Sequence, residues 1–182
     1  MAAVALLVVL LAGTTSASGM PEPGERAPEW VLDDLQGNPV AFPQVGLGRT
    51  SVILFWAGWC HYCKALMPRL SALLDDPGAR EISAFAIRIA DDEPITGAST
   101  GLTILDHGDP VAWRYGVETV PALFIVDRSG RVVYRLDYPP AEHPSQQTGD
   151  RSHQAGLLAE WWESRLRGVL DLQRPRVQAD PG

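Results

Sequence analysis

The two cysteines of this 182-residue chain, Cys60 and Cys63, stand two residues apart directly after an apolar run. That run, residues 51–56, has the length and β-rich composition of a buried strand, whereas residues 60–74 carry apolar side chains at helical spacing. The first backbone N–H groups of a helix lack intrahelical partners and stabilise a thiolate placed beside them. The segment therefore predicts a strand that delivers a redox-active cysteine pair to the start of a helix.

The rest of the chain adds strands and helices in an order that indicates an α/β fold. A hairpin is predicted around residues 30–42, and core strands are predicted at 82–89, 121–126 and 131–136. A short helix is predicted at 111–115 and a longer one at about 154–172, with irregular connections at 91–101 and 137–151. This order predicts a central mixed β-sheet flanked by helices on both faces.

The N-terminal residues 1–19 resemble a secretory signal peptide, with an apolar core followed by small residues. The apolar run is shorter than the roughly 18 residues that span a bilayer, so a cleaved signal is favoured over a permanent anchor. No Lys or Arg precedes the apolar run, which leaves an atypical signal, a mis-assigned start or an uncleaved anchor as alternatives. We expect one folded domain over residues 20–172, a disordered tail over 173–182, and a periplasmic or otherwise extracytoplasmic location.

The charge of the chain restricts its partners. A net charge of −7 and an isoelectric point near 5.0 argue against nucleic-acid binding, because the sequence has no Lys/Arg cluster to neutralise phosphates. Protein or small-molecule thiols fit better, and we expect a monomer that needs no organic cofactor. Two cysteines so close in sequence staple very little chain, so reactivity explains the pair better than stability does.

A zinc site is the alternative use of the cysteine pair. Zinc takes about four ligands, and the chain has no second cysteine pair. The remaining candidates, His107, His143 and His153, lack paired ligand spacing. The sequence therefore favours redox chemistry and no metal.

Two motifs carry a resemblance to a known family. The sequence FWAGWCHYCK at 55–64, followed by Met67-Pro68, and GVETVP at 116–121 resemble the thioredoxin superfamily. The segments GERAP at 24–28 and FIVDRSGR at 124–131 resemble its extracytoplasmic TlpA-like and ResA-like branch, which serves cytochrome c maturation or related disulfide traffic. The resemblance covers roughly residues 24–170 and implies a thioredoxin-like fold.

The resemblance also implies roles for individual residues. It makes Cys60 the nucleophile and Cys63 the cysteine that resolves the mixed disulfide. It places Pro121 in a cis peptide bond against the pair, where the backbone of Val120 can face an extended substrate segment. A membrane-embedded thiol protein is the implied electron donor or acceptor.

The chain departs from the family pattern at two acidic positions. Leu54 stands where thioredoxins carry a buried acid, and Leu66 stands where many TlpA-like proteins carry a glutamate. Proton exchange with the second thiol is then left to solvent, His61 or Glu118. The segment before Asp106 is also shorter than the insertion common in that branch.

Three residues around the cysteines are further candidates. A positive charge on His61 would lower the pKa of Cys60 and make the pair more oxidising. Trp59 is expected to shield the site and contact substrate, whereas Tyr62 either contacts substrate or covers the helix.

The sequence thus predicts an exported thiol–disulfide oxidoreductase that acts more on the reductive side. A disulfide-donating oxidase and a redox-inert peptide-binding module remain alternatives. A disulfide isomerase and a peroxidase are less favoured, because no dimerisation domain precedes the fold and the upstream segment has no cysteine.

Overall fold

A computed structural model of the protein describes residues 19–92, 95 and 101–174. The strands are β1 (Trp30–Asp33), β2 (Pro39–Phe42), β3 (Thr50–Trp56), β4 (Ile82–Arg88), β5 (Thr103–Leu105), β6 (Ala122–Val126) and β7 (Val132–Arg135). The helices are α1 (His61–Leu74), α2 (Asp109–Arg114), α3 (Pro144–Gln147) and α4 (Arg151–Gln173), with 3-10 turns at Gln44–Gly46 and Pro77–Ala79.

Five strands form the central sheet in the order β5-β4-β3-β6-β7. Strand β3 runs parallel to β4 and antiparallel to β6, so the sheet is mixed, as the element order predicts. Strands β1 and β2 form a separate antiparallel hairpin. Because β3 lies at the centre, its residues are buried from Thr50 to Phe55, which explains the continuous apolar run.

Alternate side chains of β3 enter two different cores. Ile53 and Phe55 pack with the β1–β2 hairpin and α2, whereas Val52 and Leu54 pack with α1 and α4. The period of two along a strand produces this division. Layers therefore cover both faces of the sheet, and the predicted α/β architecture is confirmed.

The boundaries differ from prediction where signals were short or polar. Strand β5 and helix α3 were not predicted, because three or four residues inside polar segments carry no detectable period. Helix α4 begins at Arg151, three residues before the predicted start at about residue 154, because the Asp150 carboxylate accepts the N–H groups of Ser152 and His153 at 2.8 and 3.0 Å. It ends at Gln173, one residue beyond the expected domain end.

Several expectations fall outside the described residues. They concern nearly all of the signal peptide (1–18), part of the 91–101 connection (93–94 and 96–100) and the tail at 175–182. Within the described ranges, none of the helices has both the length and the apolar character needed to cross a bilayer.

Candidate active site

The cysteine pair lies at the junction of β3 and α1. Cys60 is the N-cap of α1, and its sulfur accepts the backbone N–H of Cys63 at 3.1 Å. The two sulfurs form a disulfide, with the Cα atoms 5.2 Å apart. Cys60 is 3% exposed and Cys63 is 0% exposed, so Cys60 is the more accessible of the two residues. A thiolate on Cys60 would receive the N–H groups of the first helical turn.

The loop before β6 approaches the same sulfur. The Val120–Pro121 peptide bond is cis, in agreement with the resemblance, and a second cis bond joins Phe42 to Pro43. The carbonyl oxygen of Val120 lies 3.5 Å from Sγ of Cys60. This oxygen can accept the S–H of a reduced Cys60, which favours the thiol over the thiolate.

A turn that follows β4 holds the loop in front of Cys60. The N–H of Gly58 donates to the Asp91 carboxylate, and the indole N–H of Trp59 donates to the carbonyl of Ala90 at 2.8 Å. The N–H of Ile89 donates to the carbonyl of Trp56 at 3.0 Å. Three consecutive residues, 89–91, thus bind the segment that leads into the cysteine pair.

A second connection runs from the pair to α4. The Tyr62 hydroxyl donates to Oε1 of Gln154 at 2.7 Å, and the Gln154 amide donates to the carbonyl of Ser145 at 2.9 Å. Ser145 belongs to α3 and is fully buried. The hydroxyl of Tyr62 therefore connects the cysteine motif to α4.

The last residue of β4, Arg88, forms an ion pair with Asp106, the residue that follows β5. Arg88 donates through Nε and Nη2 to the two carboxylate oxygens of Asp106 at 2.7 and 2.6 Å. These hydrogen bonds from Arg88 hold the pKa of Asp106 below its ordinary value. The positive charge of Arg88 is thereby matched locally, and the carboxylate of Asp91 adds a further negative charge nearby.

The other predicted site residues lie at the surface. His61 and Glu118 are exposed, and Trp59 is 60% exposed despite its indole hydrogen bond. Leu54 and Leu66 are fully buried in the apolar core between the sheet and α1. Both positions that carry acids in related proteins are thus filled by hydrocarbon.

Sequence reasoning missed Asp91 and Gln154. A signal for Asp91 existed: it follows β4, and the carboxyl ends of parallel neighbouring strands meet at one edge of a sheet. Since the cysteine pair follows β3, a carboxylate after β4 belongs near it. Gln154 had no comparable signal, because it lies 92 residues from its partner Tyr62.

The described part of the chain offers no candidate metal site. No group of three or more His, Cys, Asp or Glu side chains there is arranged to hold an ion. The chemistry of the site is that of two sulfurs at a helix N-terminus, which can exchange a disulfide with a partner.

Comparison with known proteins agrees with this geometry. The AhpC/TSA family pattern matches residues 23–135. The thiol-disulfide oxidoreductase ResA of Bacillus thuringiensis (strain Al Hakam) is 28% identical over 121 residues, which are 62% of this chain and 68% of that protein. The DsbE homolog of Paracoccus denitrificans (strain Pd 1222), a thiol:disulfide interchange protein, is 33% identical over 95 residues, 46% of this chain and 48% of that protein.

A solved structure shows the same fold. The thioredoxin domain of a thiol-disulfide oxidoreductase from Bacteroides vulgatus superposes with a TM-score of 0.50 at 19% identity, over 63% of this chain and 87% of that one. The family match covers more than half of the chain, and the cysteine pair lies at the N-terminus of the helix that follows the central strand. The chain therefore belongs to the AhpC/TSA family and is a ResA-like thiol–disulfide oxidoreductase of the thioredoxin superfamily.

Proposed function

We propose that this oxidoreductase works outside the cytoplasm as a reductant of protein disulfides, with Cys60 as the nucleophile and Cys63 as the resolving cysteine. The observation that carries the reductive direction is the 3.5 Å contact between Sγ of Cys60 and the carbonyl oxygen of Val120. A hydrogen bond to the neutral thiol disfavours the thiolate. A dithiol form with a less stable thiolate gives up electrons more readily.

The position of His61 supports the same direction. The sequence argument for an oxidising pair rests on a positive charge at this residue. His61 is exposed, so solvent and salt screen its effect on the sulfur of Cys60. The remaining stabilisation of the thiolate comes from the N-terminus of α1, which supports attack without making the pair a strong oxidant.

The proposed reaction transfers two electrons through two exchange steps. The Cys60 thiolate attacks one sulfur of the partner disulfide, the partner S–S bond breaks, and the released partner thiolate takes a proton from solvent. Cys63 then loses its proton to solvent and attacks the Cys60 sulfur. The mixed disulfide breaks, the second partner thiolate is protonated, and the chain retains the Cys60–Cys63 disulfide.

Continued turnover needs a dithiol donor. A membrane-embedded thiol protein fits this requirement if residues 1–19 direct export, as their composition suggests. Val120 and Pro121 supply the backbone that faces an extended substrate, and Trp59 supplies exposed aromatic surface beside it.

The reduction potential of the Cys60/Cys63 pair tests the direction. The protein beginning at residue 20 would be equilibrated in thiol buffers and followed by tryptophan fluorescence. A potential near or below about −250 mV supports a reductase, whereas one near about −120 mV contradicts it and indicates a disulfide donor.

A further inference from the structure

Gly58 and Asp91 are fitted to each other. The Gly58 N–H donates to Oδ2 of Asp91, and a Cβ atom added at Gly58 would lie 2.7 Å from the same oxygen. The turn that carries Asp91 is itself held, because the N–H of Ala90 donates to the carboxylate of Asp109 at 3.0 Å and Ala90 adopts a φ of 50°. Asp91 therefore occupies a defined place against the loop before Cys60.

We propose that Asp91 is a positioning residue that fixes this loop and whose negative charge disfavours the Cys60 thiolate, so that the pair becomes more reducing. One residue, Trp59, separates Gly58 from Cys60, so the Cα atoms of Gly58 and Cys60 lie at most about 7 Å apart. Because salt screens charges over about 8–10 Å, a carboxylate held against Gly58 is only partly screened at Cys60. A carboxylate held there raises the free energy of the thiolate and leaves the disulfide less affected.

Arg88 is shared among several carboxylates around this turn. It donates to both oxygens of Asp106, and the negative charges of Asp91 and Asp92 also act on it. Asp92 and Asp109 add further negative charge around the same turn. Leu54 and Leu66 stand where acidic residues are usual, and Asp91 provides an acidic side chain nearby. Asp91 acts through the loop and not by contact with the sulfurs.

This inference rests on the proposed reductive function and deepens it. Its test compares the reduction potentials of variants with that of the unaltered protein. Asp91→Asn keeps an oxygen that can accept the Gly58 N–H and removes the charge. We expect the equilibrium constant against glutathione to shift about threefold to tenfold toward the dithiol form, which is about 15–30 mV less negative. Asp92→Asn, which removes an equal charge from an exposed neighbour, is the matched control and should shift it less than twofold.

A second perturbation leaves Asp91 in place. Gly58→Ala puts a methyl carbon 2.7 Å from Oδ2, which is too close, so the carboxylate must move away from the loop. We expect a shift in the same direction as that of Asp91→Asn. A purely structural role for Asp91 would lower the thermal midpoint of both redox forms and leave the potential unchanged.

The outcomes separate the two proposals. An Asp91→Asn shift no larger than that of Asp92→Asn, or a shift toward the disulfide form in either Asp91→Asn or Gly58→Ala, overturns the role of Asp91. The potential of the unaltered protein decides the direction of function independently of these differences.

Discussion

The Tyr62 hydroxyl donates to Oε1 of Gln154 at 2.7 Å and so joins the cysteine motif to α4. We expect Tyr62→Phe to lower the free energy of unfolding of the oxidised protein by about 0.5–1.5 kcal/mol, since a half-buried hydrogen bond is lost. In a double-mutant cycle with Gln154→Ala, measured by denaturant unfolding, the two substitutions should couple by about 1 kcal/mol. Additive effects would mean that this hydrogen bond contributes nothing to stability.

The unequal burial of the two sulfurs predicts unequal variants. Cys63→Ser should trap a mixed disulfide between Cys60 and a model protein disulfide, because the buried resolving sulfur is gone. Cys60→Ser should trap none, because Cys63 is 0% exposed and no attacking sulfur can reach it. Non-reducing electrophoresis and intact mass distinguish the two, and an adduct on Cys63 would reverse the assigned roles.

A His61→Ala variant tests how strongly this exposed side chain affects the reduction potential of the cysteine pair. His61→Ala should make the potential more negative by no more than about 15 mV, or about threefold in the equilibrium constant, because solvent screens the imidazole. Lys64→Ala removes an exposed cation from α1 and serves as the control. A shift several times larger would restore the argument for an oxidising pair.

Glu118 is exposed, although the sequence makes it a candidate for proton exchange. If solvent handles the proton of Cys63, Glu118→Gln should change the exchange rate less than about twofold between pH 6 and 8, because general acid–base catalysis typically contributes 10²-fold or more. Stopped-flow fluorescence of disulfide reduction measures this rate. A large loss that depends on pH would assign the role to Glu118.

The Arg88–Asp106 pair should contribute to stability above the acid range. Asp106→Asn removes the carboxylate that accepts two hydrogen bonds from the 7% exposed Arg88 side chain and should cost about 1.5–3 kcal/mol at pH 7. The native pKa of Asp106 lies below its unfolded value, so this stabilisation is complete above about pH 4 and disappears as the pH falls through the native pKa.

A matched control uses an exposed pair. Asp171→Asn breaks the contact with Arg174 at the end of α4 and should cost less than about 0.5 kcal/mol, because solvent screens it. Chemical denaturation of both variants between pH 2.5 and 7 measures the difference. An Asp106→Asn cost that stays constant down to pH 2.5 would contradict the role of its charge.

The elements nearest the site were predictable because their sequence signals are long and strong. Strand β3 is an unbroken apolar run, and α1 carries a helical stripe beginning just after Cys60. Strand β5 and helix α3 were not predicted, because three or four residues are too few to show a periodic pattern and their stability comes from packing.

The site was predictable only where it is local. The cysteine pair, its helix N-terminus and the cis Pro121 follow from motifs, whereas Asp91 and Gln154 join the site through hydrogen bonds across the fold. A single sequence reports neighbours along the chain and gives weak information on such distant partners. The position of Asp91 directly after a strand could have indicated the correct edge of the sheet, but no periodicity selects its carboxylate.

The three contacts that surround the dithiol join residues 33, 60 and 92 positions apart in sequence. A nascent or unfolded chain has none of them, and it lacks the helix N-terminus as well. Its two cysteines would then behave as ordinary thiols with an ordinary pKa near 8.5. The redox character of the pair is therefore acquired on folding. A newly made chain cannot exchange disulfides as the folded protein does until its central sheet and α1 have formed.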